Sequence, residues 1–196
     1  MISKQELLEC SVENFIKFGS KRFTMDELAF ELGISKKTIY NWFETKEDLV
    51  SESLSFLTKK FKRDVEKAIL ERNDPIEKII IIYEIGFHYF EWFNPSFIFG
   101  LKKYYPKANM VFEAFRDDIV YGVIYKLLVL AKEQFIIKYH VNLKLVCDLY
   151  FTHIENLLYN ANNFFDTYTK KELLQHLIIN NLRGITNPNY SNIYFD

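Results

Sequence analysis

The chain has 196 residues, 49% of them hydrophobic, with 19 Phe and 13 Tyr against 6 Gly and 4 Pro. That balance excludes a disordered chain and favours helices over a turn-rich β architecture, so an all-α protein is expected. Net charge is −1 at pH 7, which argues against a uniformly basic nucleic-acid binder and turns attention to local charge.

The amino terminus, Met1-Ile2-Ser3-Lys4-Gln5-Glu6, lacks the basic-then-apolar order of a signal peptide. The longest apolar region, 76–93, is interrupted by Glu77, Lys78, Glu84, His88 and Glu91, which disfavours a membrane span. Cys10 and Cys147 show no metal-ligand spacing and read as small apolar residues of a reducing compartment. A cytoplasmic protein with no membrane partner, metal or cofactor is expected.

Leu8, Val12, Phe15 and Ile16 form a helical stripe that ends at Gly19. Thr24-Met25-Asp26-Glu27 has the pattern of a capping box, and Met25, Leu28, Ala29 and Leu32 make a short apolar face behind it. Gly33 falls where the chain must turn, with a positive φ expected, and Ser35 is suited to cap a third helix from Lys36. There Ile39 and Phe43 face inward with Ile34, leaving Lys36, Lys37, Tyr40 and Asn41 outside. Thr45-Lys46-Glu47-Asp48 opens a longer helix bearing Leu54, Leu57, Phe61, Val65 and Ala68 on one face.

Asp74-Pro75 and Asn94-Pro95 each set a capping residue before a proline suited to a first helical turn. A long helix is expected over about 106–135, another after a cap at Asn142, and a last one from the capping box Thr169-Lys170-Lys171-Glu172 to Gly184. The tail, 185–196, has no helical period.

Two short helices about a glycine turn, over 24–43, make a helix-turn-helix, whose second helix enters the major groove of DNA. Residues 1–60 are themselves near neutral, but no acid lies between Glu31 and Glu44. Lys36 and Lys37 suit guanine O6/N7 or phosphate, Asn41 suits adenine N6/N7, and Thr38 suits a thymine methyl or a phosphate oxygen. Tyr40 and Trp42 bring O–H and N–H donors, Ser35 caps the reading helix, and Thr24 and Lys46 stand at helix starts that favour an anion.

The segment Thr38-Ile39-Tyr40-x-x-Phe43-x-x-Lys46-Glu47-x-Leu49, with Phe15 and Gly19 before it, resembles the TetR family of bacterial transcriptional regulators over roughly residues 5–55. The resemblance implies about nine helices, with a three-helix DNA-binding domain (1–61) and a larger helical bundle (62–196) for effector binding and dimerisation. It implies a homodimer formed through the last two long helices, and a small-molecule effector that releases double-stranded operator DNA. Lys37 stands where the family often has a small residue, and Trp42 where His or Tyr is frequent, so the base preference is this chain's own.

In the larger domain Phe87, His88, Phe90, Phe112, Phe115 and His153 are candidates to line an effector pocket, with an apolar or aromatic effector favoured by the aromatic density. Glu84, His88 and Glu91 share one helix face, for which a solvated or hydrogen-bonded stripe is expected ahead of metal binding, and His153, Asn156 and Asn160 share another, for which polar registry at an interface is expected. No Ser/His/Asp order, phosphate-cradling glycine loop or zinc spacing points to an enzyme. The competing reading is a helical small-molecule-binding module without DNA-binding activity.

Overall fold

The computed structural model describes residues 2–159 and 164–195. Among them, regular structure is helical throughout, apart from one isolated bridge between Ile137 and Thr186. In chain order the helices are α1 (Lys4–Phe18), α2 (Met25–Glu31), α3 (Lys36–Tyr40), α4 (Lys46–Ile69), α5 (Pro75–Phe90), α6 (Pro95–Tyr104), α7 (Pro106–Asp117), α8 (Tyr125–Glu133), α9 (Leu143–Tyr159), α10 (Phe164–Thr167), α11 (Lys170–Leu174) and α12 (Asn180–Ile185). Two π-helical segments, Asp118–Ile124 and Gln175–Ile179, join α7 to α8 and α11 to α12. Asn160 lies outside the described residues.

The chain divides into two compact units, one of Met1–Lys60 with Trp92–Phe115, the other of Phe61–Glu91 with Arg116–Asp196. The functional boundary expected at 61/62 differs from this division in one segment, 92–115, which packs with the amino-terminal helices. The reason is local. Helix α1 leaves carbonyls without intrahelical donors at its end, and the Asn94 amide donates to Ile16 O (3.0 Å) while its side chain donates to Lys17 O (3.4 Å). Tyr105 Oη then donates to Ser20 O (3.2 Å). The turn between these points needs Gly19, which has φ +85° and would put a Cβ 2.5 Å from Ser96 Oγ. The core of this unit is Leu7, Phe15, Leu28, Ile39, Phe43, Leu49, Ile98 and Leu101, each nearly or wholly buried.

In the second unit α5 is apolar on almost every side. Ile76, Ile79, Ile80, Ile81, Ile82 and Tyr83 are all buried, as suits a central helix rather than an amphipathic surface one. Leu128 and Ala131 of α8, Cys147 and Ile154 of α9, and Leu174, Ile178 and Leu182 complete the core.

The later helices add details to the expected pattern. The helix expected over 106–135 contains the π segment, and its buried residues explain why. Val120, Ile124 and Leu128 are spaced in fours, a pattern that drifts by about 40° per step on an α-helix. The wider π turn takes up the drift and keeps the row on one side. The helix stops at Glu133 with no glycine: Phe135 takes φ 58°, and the Ile136 amide reaches back to Ala131 O (2.9 Å) in a Schellman-type closure. Gly184 does not close the last helix, which continues to Ile185. The tail is tied down instead, by Lys138 N to Ile185 O (3.0 Å), Asn187 N to Ile136 O (2.8 Å) and Tyr190 Oη to both carboxylate oxygens of Asp74 (2.8 Å each).

Candidate nucleic-acid interface and cavities

The helix-turn-helix is built from side-chain caps. Thr24 Oγ1 accepts from the Glu27 amide (3.2 Å), and the Glu27 carboxylate accepts from the Thr24 amide (2.6 Å), a complete capping box on α2. Gly33 has the positive φ, +61°, that the turn requires. Ser35 Oγ accepts from the Thr38 amide (3.1 Å) and shares a hydrogen bond with Thr38 Oγ1 (2.9 Å). Helix α3 is only five residues long and is held by Ile39 and Phe43, 0% and 1% exposed.

Burial of those two leaves Lys36, Lys37, Tyr40 and Asn41 on the solvent side, with Thr38 and Trp42 half-buried beside them. Lys36 is not free: its ammonium pairs with Asp26 Oδ2 at 2.8 Å, an acid that sequence distance hid from the 32–43 window. Both partners are exposed, so the pair is weak and exchangeable. Lys37 and Asn41 carry no side-chain partner among the described residues. At the start of α4, Thr45 and Asp48 form a reciprocal cap. Lys46 lies partly buried against Phe15 and Tyr105, its ammonium 5.9 Å from each ring centroid, and donates to Lys21 O at 3.2 Å. Burial lowers the affinity of Lys46 for its proton. Thr24 differs from a free phosphate holder: the Glu27 carboxylate already occupies its amide, leaving the hydroxyl proton as its donor.

These features lie in the segment that matches the model of the tetR family of bacterial regulatory proteins, over residues 7–52. That match makes the helix-turn-helix segment similar to the TetR family. The HTH-type transcriptional regulator BetI of Agrobacterium fabrum is 24% identical over 121 residues, which is 62% of this chain and 58% of that one, so the match spans little more than half of that relative. YvaF of Bacillus subtilis, another HTH-type transcriptional regulator, is 27% identical over 87% of this chain and 90% of its own. The TetR-type fold of this chain is also that of the regulator FadR from Bacillus subtilis, solved in complex with stearoyl-CoA, with a TM-score of 0.72 at 16% identity over 93% of this chain and all of that one.

The candidate effector residues are distributed over the two units. Phe87 and His88 line a cavity of about 1290 Å³ in the second unit, bounded by α4, α5, α11 and the tail. His153 lines a separate cavity of about 430 Å³ with Asn156, Tyr168 and His176. Phe112, buried, and Phe115, half-buried, belong to the first unit, and Phe90 is half-buried at the end of α5.

The larger cavity has apolar walls (Ile81, Ile85, Leu174, Ile179) and a mixed charged rim, Lys67, Arg72, Lys170 and Lys171 with Asp64 and Glu84, in which Arg72 pairs with Glu77 and Lys170 with Glu91. Of the stripe Glu84, His88, Glu91, the last two are tied to Lys170, whose ammonium is 2.7 Å from Glu91 Oε2 and 3.2 Å from His88 Nδ1. Hydrogen bonding to Lys170 engages His88 and Glu91 of the stripe, while Glu84 is exposed. Sequence reading missed Lys170 because it is 79 residues from Glu91.

Proposed function

We propose that this chain is a ligand-responsive transcriptional regulator of the TetR family that binds a pseudo-palindromic operator as a homodimer and is released by its effector, acting as a repressor. The observation that carries the reading is the outer edge of α3. Lys37, Tyr40 and Asn41 face solvent on α3 and its cap, while Ile39 and Phe43 are buried. Side chains of that chemistry read base edges and phosphates, with Ser35, Lys36, Thr38 and Trp42 around them and Thr24 and Lys46 holding phosphates on either side.

Exposed Leu145 and Leu149 on α9, 52% and 50% accessible, support a dimer seam along that helix, since paired apolar residues one turn apart gain by being covered. The excess of lysines on the mixed rim, Lys67, Lys170 and Lys171 against Asp64 and Glu84, over apolar walls supports an effector with an apolar body and an anionic group, in place of the apolar or aromatic one expected. FadR, with stearoyl-CoA bound, is an instance of such a ligand on the same fold.

Fluorescence anisotropy with a duplex from upstream of the chain's own coding region tests the reading. Binding should weaken with salt, Lys46→Ala should weaken all duplexes alike, and Asn41→Ala should relax preference at one base position. Stearoyl-CoA should release the duplex from the native chain and less from Lys170→Met. No binding to any duplex at low salt refutes the proposal.

A further inference from the structure

The turn between α1 and α2 and the end of α6 bring lysines together where no acid meets them. Lys21 Nζ lies 4.0 Å from the centroid of the Tyr104 ring, and Lys103 Nζ lies 5.4 Å from the same centroid and 5.4 Å from that of Phe99. Neither lysine has a carboxylate partner among the described residues, in contrast to Lys4, Lys36 and Lys107 of the same unit, each of which pairs with one. Lysines in the last turn of a helix complement its dipole, and that accounts for Lys102 and Lys103. It does not account for Lys21, which comes from another element to the same ring.

The cluster is held in place by backbone. Tyr105 Oη bonds Ser20 O, the Asn94 amide bonds Ile16 O, and a Cβ on Gly100 would sit 2.8 Å from Ser20 Oγ. It is also continuous with the helix-turn-helix edge, because the Lys46 ammonium donates to the carbonyl of Lys21 and rests over Tyr105, the neighbour of Tyr104. The phenol of Tyr104 is made more acidic than usual, first by its hydrogen bond with Lys21 and then by the charge of Lys103, as a local excess of positive potential requires.

We propose that Lys21 and Lys103, converging on Tyr104, form a second phosphate-binding site through which α6, outside the helix-turn-helix, extends the grip on the DNA backbone beyond Lys46. Two exposed ammonium groups over an aromatic face repel one another until an anion lies between them, and lysine binds phosphate as a point charge without reading sequence. The proposal rests on the DNA-binding reading above and adds to it contacts that no base preference reports.

The test is the salt dependence of binding to a mixed-sequence duplex, read by anisotropy for the native chain, Lys21→Gln/Lys103→Gln, Lys103→Arg and Lys46→Ala, with thermal melts to confirm that each is folded. Each phosphate contact contributes about 0.9 to the slope of log K against log salt. The double variant removes one such contact and should therefore lose about 0.9 of that slope, Lys103→Arg should keep it, and duplexes of any sequence should respond alike. A double variant that melts and binds with the native slope, while Lys46→Ala loses slope, overturns this proposal and leaves the DNA-binding reading standing. Absence of binding by the native chain overturns both. A native slope on DNA together with lost binding to phosphatidylglycerol vesicles assigns the cluster to a membrane surface and overturns it too.

Discussion

Replacing Ile39 by Ala tests whether the reading edge of α3 depends on burial. Ile39 is 0% exposed and is the buried residue of a five-residue helix, far too short to be stable alone. The change removes three carbons at about 0.8 kcal/mol each, and the residual cavity brings the loss to about 3 kcal/mol. Alanine's helix preference returns about 0.4 kcal/mol. A net loss near 3 kcal/mol multiplies the undocked population of α3 about a hundredfold. Amide exchange separates local from global opening. The Phe43 amide, bonded to Ile39 O at 3.1 Å, should exchange about a hundredfold faster, whereas the Tyr105 amide, bonded to Leu101 O at 3.0 Å, should change less. Affinity for the upstream duplex should fall in step. Exchange at Phe43 and affinity both within twofold of native would refute the reasoning, because α3 would then hold its place without the core contact.

Phe135→Gly should do the opposite. Its ring is 85% exposed and its φ is 58°, so glycine relieves left-handed strain of about 1–2 kcal/mol while losing little burial, and the melting midpoint should rise by about 2–4 °C. Hydrogen bonds from the Ser3 and Thr24 amides and from the Thr169 hydroxyl hold Glu6, Glu27 and Glu172 below their ordinary value of 4.5. Their stabilisation is therefore complete above that value and lost as pH falls through the lower folded values. A Glu→Gln triple variant, which keeps the caps, should flatten the acid limb of a pH–stability curve. Burial pushes the Cys147 thiol up to about 11, and the side chain is 1% exposed, so iodoacetamide should modify Cys10 first and reach Cys147 only on unfolding. Tyr190→Phe removes both hydrogen bonds to the carboxylate that caps α5 through the Ile76 and Glu77 amides, and limited proteolysis should then cut the tail sooner.

What could be read from the sequence was short-range. The caps at Thr24, Ser35, Asp74, Asn94 and Thr169 involve residues two or three positions apart, so residue type and spacing carry them. The inward Ile39 and Phe43 and the outward Tyr40 and Asn41 follow from one helical turn. What escaped was whatever depends on distant partners. Asp26 lies ten residues from Lys36, and the attachment of 92–115 to α1 rests on bonds spanning 77 and 85 residues. Aromatic density suggested one pocket, but Phe112 and Phe115 were recruited by one compact unit and Phe87 and His88 by the other. The helix end near 135 was legible but its left-handed closure at Phe135 was not: a bulky residue in that conformation is what residue preference argues against.

The π turn at Asp118–Ile124 amounts to one surplus residue in a helix, and a surplus of that kind can be deleted without shortening either flank. A relative lacking a single residue there is expected to carry an uninterrupted α-helix, so the faithful superposition of the two sequences places its gap inside 118–124. Sliding the gap to a nearby loop would match Val120, Ile124 and Leu128 to residues on the wrong side of the relative's helix, and a true core would then look like a variable surface.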